Sequence, residues 1–553
     1  MWIAIFLMGM LALPVLLATG QLRPPRPLPI DAPPDAFSAE RAMVHLQSIA
    51  RQPRPTGSAA LREARDYLYH ELDRLGLETE LQRGSIAHGE RLWEVENVVG
   101  RLPGTEGAGT LLLVAHYDSW PGSPGAGDNG ISVSALLEVL RALQDTTPPR
   151  NDLIVLLTDG EEVGLLGARL FVQEHRWLDN VDLVINLDGG GQGVPLLLET
   201  SPQNGWLIRE YARAASQPLA ASWANEIFQR LPFDTDFTPF CRAGFAGLNV
   251  NVVGDRLTMH TPQDTIANLD RRSLQAHGSH TLALVRHFGD VDLRRPGAPD
   301  VVFFSLPGGI LVHYPTTWAL PLVLLAGLAW AAATLWLARR RRLSLLGVVS
   351  GTLALVAGLI TLPLATWLIW QALRAAHPSY AELSALGHTP NSHFYFYAFI
   401  ALTVSATTAL YALLRRRLAL AELGVGALFW WLLLALWSAL AMPGLSYLLT
   451  WPLLFGLLAL VASPGDGHAS WPHLVLLGVS AAPGILLAAP AFYFLFIALG
   501  VSGYGVVTAL MVLLLGTLWP QIEVLITPRR IWLPLITLAV GVGFLVAGSL
   551  TVG

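Results

Sequence analysis

From about Trp318 to the end, the chain is a succession of apolar stretches, each near the ~20 residues a helix needs to cross a bilayer, and no other feature narrows its architecture as much. The stretches fall at about 318–338, 344–370, 394–414, 420–442, 445–462, 474–500, 504–526 and 531–550. A further apolar run, Trp2 to Ala18, carries no charge and has no basic segment before it, so it reads as an uncleaved anchor rather than a cleaved signal. The charge is distributed to match. Of 40 acidic residues only Glu382, Glu422, Asp466 and Glu523 lie beyond residue 315. The chain therefore divides into a polar, acid-rich head and an apolar tail. The expected domains are an anchor (1–20), an extended Pro/Arg linker (21–38), a head (39–290), a connecting hairpin (291–316) and a membrane domain of about eight helices (317–553).

Arginine sets the orientation. Arg339 to Arg342 follow the first tail span, Arg415 to Arg417 the third, and Arg529 and Arg530 the seventh. Alternating spans place all three clusters on one side, which the positive-inside rule makes the cytoplasm. The head then faces the other side; Arg23 and Arg26 beside the anchor oppose this weakly. Ionisable residues inside spans mark transport paths. Here Glu422 and Glu523 sit near span ends, and His377, His388, His393, His468 and His473 sit in loops or at span edges. The tail reads as a structural or docking domain rather than a conduit.

Composition excludes several chemistries. All 35 basic residues are arginine, so neither a Schiff-base lysine nor a P-loop lysine is available. The single cysteine, Cys241, excludes a disulfide framework and a cysteine-ligated zinc site. No basic patch interleaved with aromatics points to nucleic acid. The absence of lysine with abundant Ala, Leu and Arg suggests a GC-rich bacterium, hence an inner membrane with a periplasmic or extracellular head.

Within the head, helical spacing over 58–75 is followed by buried-strand and helix signals in alternation. Strands are expected at 110–115, 153–158, 181–187, 194–198 and 247–253, and helices at 131–143, 165–174, 205–214 and 273–288. A short hairpin is expected at 301–314. Alternation of this kind predicts an α/β sandwich. In such sheets, ligands gather beyond the carboxyl ends of the strands. The chemistry-bearing residues fall there: Ala115-His116-Tyr117-Asp118, Gly125-Ala126-Gly127-Asp128-Asn129-Gly130, Asp159-Gly160-Glu161-Glu162, Asn186-Leu187-Asp188 and His260-Thr261-Pro262. Carboxylates gathered so closely would repel one another, an objection that two divalent cations remove. Zinc accepts histidine nitrogen and carboxylate oxygen and keeps an open position when catalytic.

These motifs, in this order over about Arg54 to Phe288, resemble the co-catalytic dizinc aminopeptidase family, of the aminopeptidase Y and glutamate carboxypeptidase type. The membrane tail is similar to that of the endoplasmic-reticulum metallopeptidase and vacuolar membrane protease branch. The resemblance implies a mixed β-sheet sandwiched by helices, two Zn²⁺ ions and a peptide substrate. It implies that Asp128 bridges the metals, that His116 and Asp188 complete one site, and that Glu162 and His260 complete the other. Glu161 is then the general base, and Asp118 orients the His116 ring. Two departures stand out. Met259 occupies the position where many members have an oxyanion-donating tyrosine, and Phe237 replaces a histidine in the Thr235-Asp236-Phe237 segment. Asp236, Phe237 and Phe240 are candidates for a substrate pocket, with core packing as the other reading of the phenylalanines. Competing functions are a non-catalytic binding module on a peptidase fold, a single-zinc glutaminyl cyclase, and a transporter with a peptidase-like head. Residue preference, the choice among aminopeptidase, carboxypeptidase and dipeptidase action, and oligomeric state are not legible.

Overall fold

The computed structural model describes residues 2–107, 109–254, 257–294, 297–382, 387–463, 470–526 and 531–551. Asp466, His468, Arg529 and Arg530, and the side chain of Glu382, lie outside the described residues. The chain forms two compact units: Gln21–Thr316, and Met1–Gly20 together with Thr317–Gly553.

Among the described residues the head contains nine strands: β1 Glu78–His88, β2 Arg91–Leu102, β3 Thr110–His116, β4 Asp152–Thr158, β5 Leu183–Gly189, β6 Val194–Thr200, β7 Ala246–Val253, and the separate hairpin β8 Val301–Leu306 and β9 Ile310–Pro315. The first seven form one mixed sheet in the order β1-β2-β4-β3-β5-β7-β6. Its centre, β4-β3-β5-β7, is parallel, while β2 and β6 pair antiparallel at the flanks. Side chains alternate between faces along each strand. Leu111, Leu113, Leu153, Val155, Leu183 and Ile185 therefore join one core with the helices Ala59–Arg74, Ile131–Gln144 and Arg271–Asp290. Leu112, Val114, Ile154, Leu156 and Val184 join another with Phe171, Phe237 and Phe240. Both faces of the parallel strands are covered, which is why these strands are uninterrupted apolar runs.

Most expected elements occur within two residues of their expected ends. One element has no counterpart among those expected from the sequence. The β1–β2 ribbon, not anticipated, fills the gap between Gly76 and Leu102. The linker is not free: the Leu28 N–H donates to Gln275 Oε1 at 2.7 Å, and the Arg41 guanidinium collects the carbonyls of Ile30, Ala32 and Ala36. Prolines set its extended path, and the head supplies the acceptors and donors that hold it.

In the other unit, seven described helices are long and apolar enough to cross a membrane, Trp2–Gly20 among them, and eight if the bent pair Val501–Thr517 and Trp519–Leu525 is one span. That pair bends by 76° at Leu518, and Pro520, which has no N–H to donate back to the preceding helix, sits in the first turn of the second helix. Tyr447–Ala462 is shorter, at 16 residues. Trp2–Gly20 packs on Trp471–Leu499, where Gly478 leaves room for Met10 and Phe6 meets the edge of Trp471. The acids near span ends are tied down. Glu422 accepts from Ser344 and from the Ala419 N–H, and Glu523 pairs with Arg415 and Tyr411.

Candidate metal centre

The four parallel strands place their carboxyl ends side by side, and the turns and loops that leave them deliver the parts of one cluster. His116 is the last residue of β3. β4 runs into Asp159 and Gly160, whose left-handed backbone (φ 76°) turns the chain into Glu161–Gly164. Asp188 is the penultimate residue of β5. His260 arrives from the loop after β7, itself held in the left-handed region at φ 57°. Asp128 sits in the wide turn Ala126–Gly130, before the helix Ile131–Gln144.

The two oxygens of Asp128 face different histidines. Oδ1 lies 3.2 Å from His116 Nε2, and Oδ2 lies 3.0 Å from His260 Nε2. Asp188 Oδ1 is 3.6 Å from His116 Nε2, and Glu162 Oε2 is 3.1 Å from His260 Nε2. His116, Glu161 and Asp188 form one group whose ligand atoms all lie within 4.8 Å, and Asp128, Glu162 and His260 form a second. Two ligands of one tetrahedral zinc, at bond lengths of about 2.0–2.1 Å, stand roughly 3.3 Å apart. The observed N···O separations bracket that value, so the donor set fits zinc in type and in spacing.

Electrostatics point the same way. Burial opposes charge on both histidines, but their acidic neighbours outweigh it. His116 is held well above its usual range, and Asp128 and Glu162 carry His260 up to about 10. Against burial, the two histidines hold Asp128 well below the ordinary carboxylate range. Glu161 is driven well above that range by burial and then by Asp236, Asp188 and Glu162, His116 notwithstanding. Burial and Asp128 lift Glu162 to about 7. Left to themselves, Glu161 and Glu162 are drawn toward their protonated forms. Divalent cations relieve that pull, and one buried arginine does not.

That arginine is Arg54, fully buried beneath the cluster. Its Nε donates to Tyr117 O at 2.6 Å, Nη2 to Gly125 O at 2.9 Å, and Nη1 to Pro124 O. Burial pushes it down to about 10 while Asp118, Asp264, Asp128 and Glu162 pull it upward. Asp264 clamps the turn from the other side, accepting from Gly127 N–H at 2.7 Å and Asp128 N–H at 3.1 Å. Sequence reading assigned neither residue a role. Arg54 lies just ahead of the Ser58 helix cap and Asp264 just after His260, and neither place has a ligand spacing that would single it out. Asp118 has more to do than the single role expected of it. Its Oδ1 stands 3.4 Å from His116 Nδ1, and its two oxygens accept from the N–H groups of Glu161 and Glu162, both at 3.2 Å.

Asp236 is buried and accepts from Thr158 Oγ1; burial raises its carboxyl to about 7. Phe237 and Phe240 have no exposed surface and pack in the sheet core, so of the two readings open for them, core packing is the one realised. Phe233 is exposed.

Residues 97–285 match the family model described as Peptidase family M28. The chain is 32% identical over 232 residues to mouse endoplasmic reticulum metallopeptidase 1, covering 40% of this chain and 26% of that protein. It is 32% identical over 259 residues to a vacuolar membrane protease of Candida albicans, covering 46% of this chain and 30% of that protein. The chain thus matches about a quarter to a third of the length of these relatives. Among solved structures, a Zn-dependent exopeptidase from Parabacteroides distasonis and a glutaminyl cyclase from Porphyromonas gingivalis align at 20% and 22% identity, each covering 45% of this chain and 98% of its own, with TM-scores of 0.38.

Proposed function

We propose that this chain, whose head matches Peptidase family M28, is a membrane-anchored exopeptidase of the aminopeptidase type that works with two zinc ions. His116, Asp128 and Asp188 hold one ion, and Asp128, Glu162 and His260 hold the other. The observation that carries this reading is Asp128, which presents one oxygen to each histidine. A single-zinc cyclase would need one such set, and a binding module would need neither.

Bound zinc supplies a water of lowered pKa and a Lewis acid for the scissile carbonyl. The residues around it manage position and protons. Glu161 accepts the water's proton on its carboxylate and returns it to the leaving amine. Asp118 fixes the turn carrying Glu161 and Glu162, so base and ligand keep their spacing. Asp236 adds negative potential at Glu161 and favours its proton-accepting role. The Met259 side chain cannot donate a hydrogen bond to the developing oxyanion, so either another group donates or turnover is lower. The arginine clusters support a head on the non-cytoplasmic side. Composition supports a bacterial inner membrane, whereas the named relatives are endoplasmic-reticulum and vacuolar proteins.

The test is amino-acid release from a small peptide panel by the full-length protein in detergent, with and without chelator, beside metal analysis. Wild type is expected to hold two zinc ions per chain and lose activity with chelator. Glu161→Gln is expected to keep both ions and lose turnover by roughly two to four powers of ten. Full turnover in that variant, or one ion per chain in the wild type, refutes the assignment.

A further inference from the structure

The two histidines facing Asp128 are held by different means. His116 is buried, and a carboxylate, Asp118, stands beside its Nδ1. Such a partner fixes a ligating imidazole's tautomer and ring plane. The His260 side chain is one-third exposed (33%), and its Nε2 faces Asp128 and Glu162. Among the described residues no hydrogen bond reaches its Nδ1. A ring on a left-handed backbone at the rim of a cleft, with one edge committed and the other free, needs something else to set its plane.

Trp120 is in position to do so. Its indole lies flat on the His260 ring, with centroids 4.7 Å apart and planes 9° from parallel. Trp120 is 41% exposed, so it is not a core residue whose burial explains it. The chain around it is fixed. Ser119 is tied to Arg54 through both main chains and its own hydroxyl, and Trp120 O accepts from the Ser123 N–H at 2.9 Å. The indole is therefore a wall built on the same Arg54-braced loop that carries Asp118 and leads to Asp128. An ion on Nε2 withdraws electron density from the imidazole, which strengthens its attraction to an electron-rich indole face.

We propose that Trp120 is the positioning residue of His260, doing by stacking what Asp118 does for His116 by charge. The inference rests on the two-ion reading above. It makes the sites unequal: the ion at His116 is held through a carboxylate-braced ring, and the ion at His260 through a ring braced by an exposed indole.

The experiment titrates metal-free, full-length protein in detergent with Zn²⁺ against a chromophoric chelator, and with Co²⁺ while recording the visible spectrum. Wild type is expected to take two ions. Trp120→Ala is expected to weaken one of them roughly tenfold, the low end for residues that orient a metal ligand, and to alter the cobalt bands of that ion alone. Trp120→Phe, which keeps a stacking face, is expected to stay within about threefold of wild type. Asp118→Asn, which touches His116 and also the turn carrying Glu162, is expected to weaken both ions. Should Trp120→Ala fail to fold, Trp120→Leu, apolar but unable to stack, takes its place. Two ions bound by the Ala or Leu variant with wild-type affinity and spectrum would overturn the role of Trp120 and leave the two-ion reading intact. Fewer than two ions in the wild type would remove that reading, and the inference with it.

Discussion

Arg54 commits its donors to the carbonyls of Tyr117, Pro124 and Gly125 while its charge serves the acids above. One guanidinium fork spans acceptors that an ammonium cannot reach together. Arg54→Met is expected to destabilise the head by roughly 3 kcal/mol or more, since several buried carbonyls lose their partners. Arg54→Lys is expected to recover less than half of that, read from thermal unfolding of the full-length protein; full recovery by lysine would show that charge alone mattered. At this scale, legibility followed the kind of role. His116, Asp128, Glu161, Glu162, Asp188 and His260 stood out because ligand chemistry demands particular residue types at strand ends, and the structure does bring these six together. Arg54, Asp264 and Trp120 did not, because they act on main-chain groups or through another ring and leave no spacing in the sequence.

Among the elements, the parallel strands declared themselves as short apolar runs because both their faces are buried. The β1–β2 ribbon did not. Most residues of β1 are exposed or half-buried, only the second half of β2 is buried, and the charges pair across the strands and onto a neighbouring helix, as Arg83 and Arg65 do with Glu96. Such a ribbon has no clean alternation to read. The helix Arg271–Asp290 carries a different hidden property. Burial lowers His277 to about 3 and His280 to about 4. The unfolded chain takes up these protons near pH 6.5, while the folded head resists them until far lower. Their contribution is therefore present above about pH 6.5 and is lost as pH falls toward 4, by about 1.4 kcal/mol per pH unit for each histidine. His280→Phe should flatten the acid limb of a stability–pH curve measured in chelator by one histidine's share. An unchanged slope between pH 6.5 and 4 would mean that the histidine is already charged when folded.

Over the whole molecule, the division into a polar head and an apolar tail could be read from where the acids stop. The pairing of Trp2–Gly20 with the tail could not, since it depends on Gly478 meeting Met10 from far along the chain. One unit thus contains both the stretch before the head and the stretch after it, and the head's chain leaves that unit at Gly20 and rejoins it at Thr317. A domain inserted in this way is a loop rather than a pendant. A protease site placed in residues 22–26 and cut alone should leave the head in the membrane pellet, and so should a single cut at residues 315–317, beyond the hairpin that packs into the head; only both together should free it. Shedding, which detaches a singly tethered enzyme with one nick, is thereby made a two-hit event for this one.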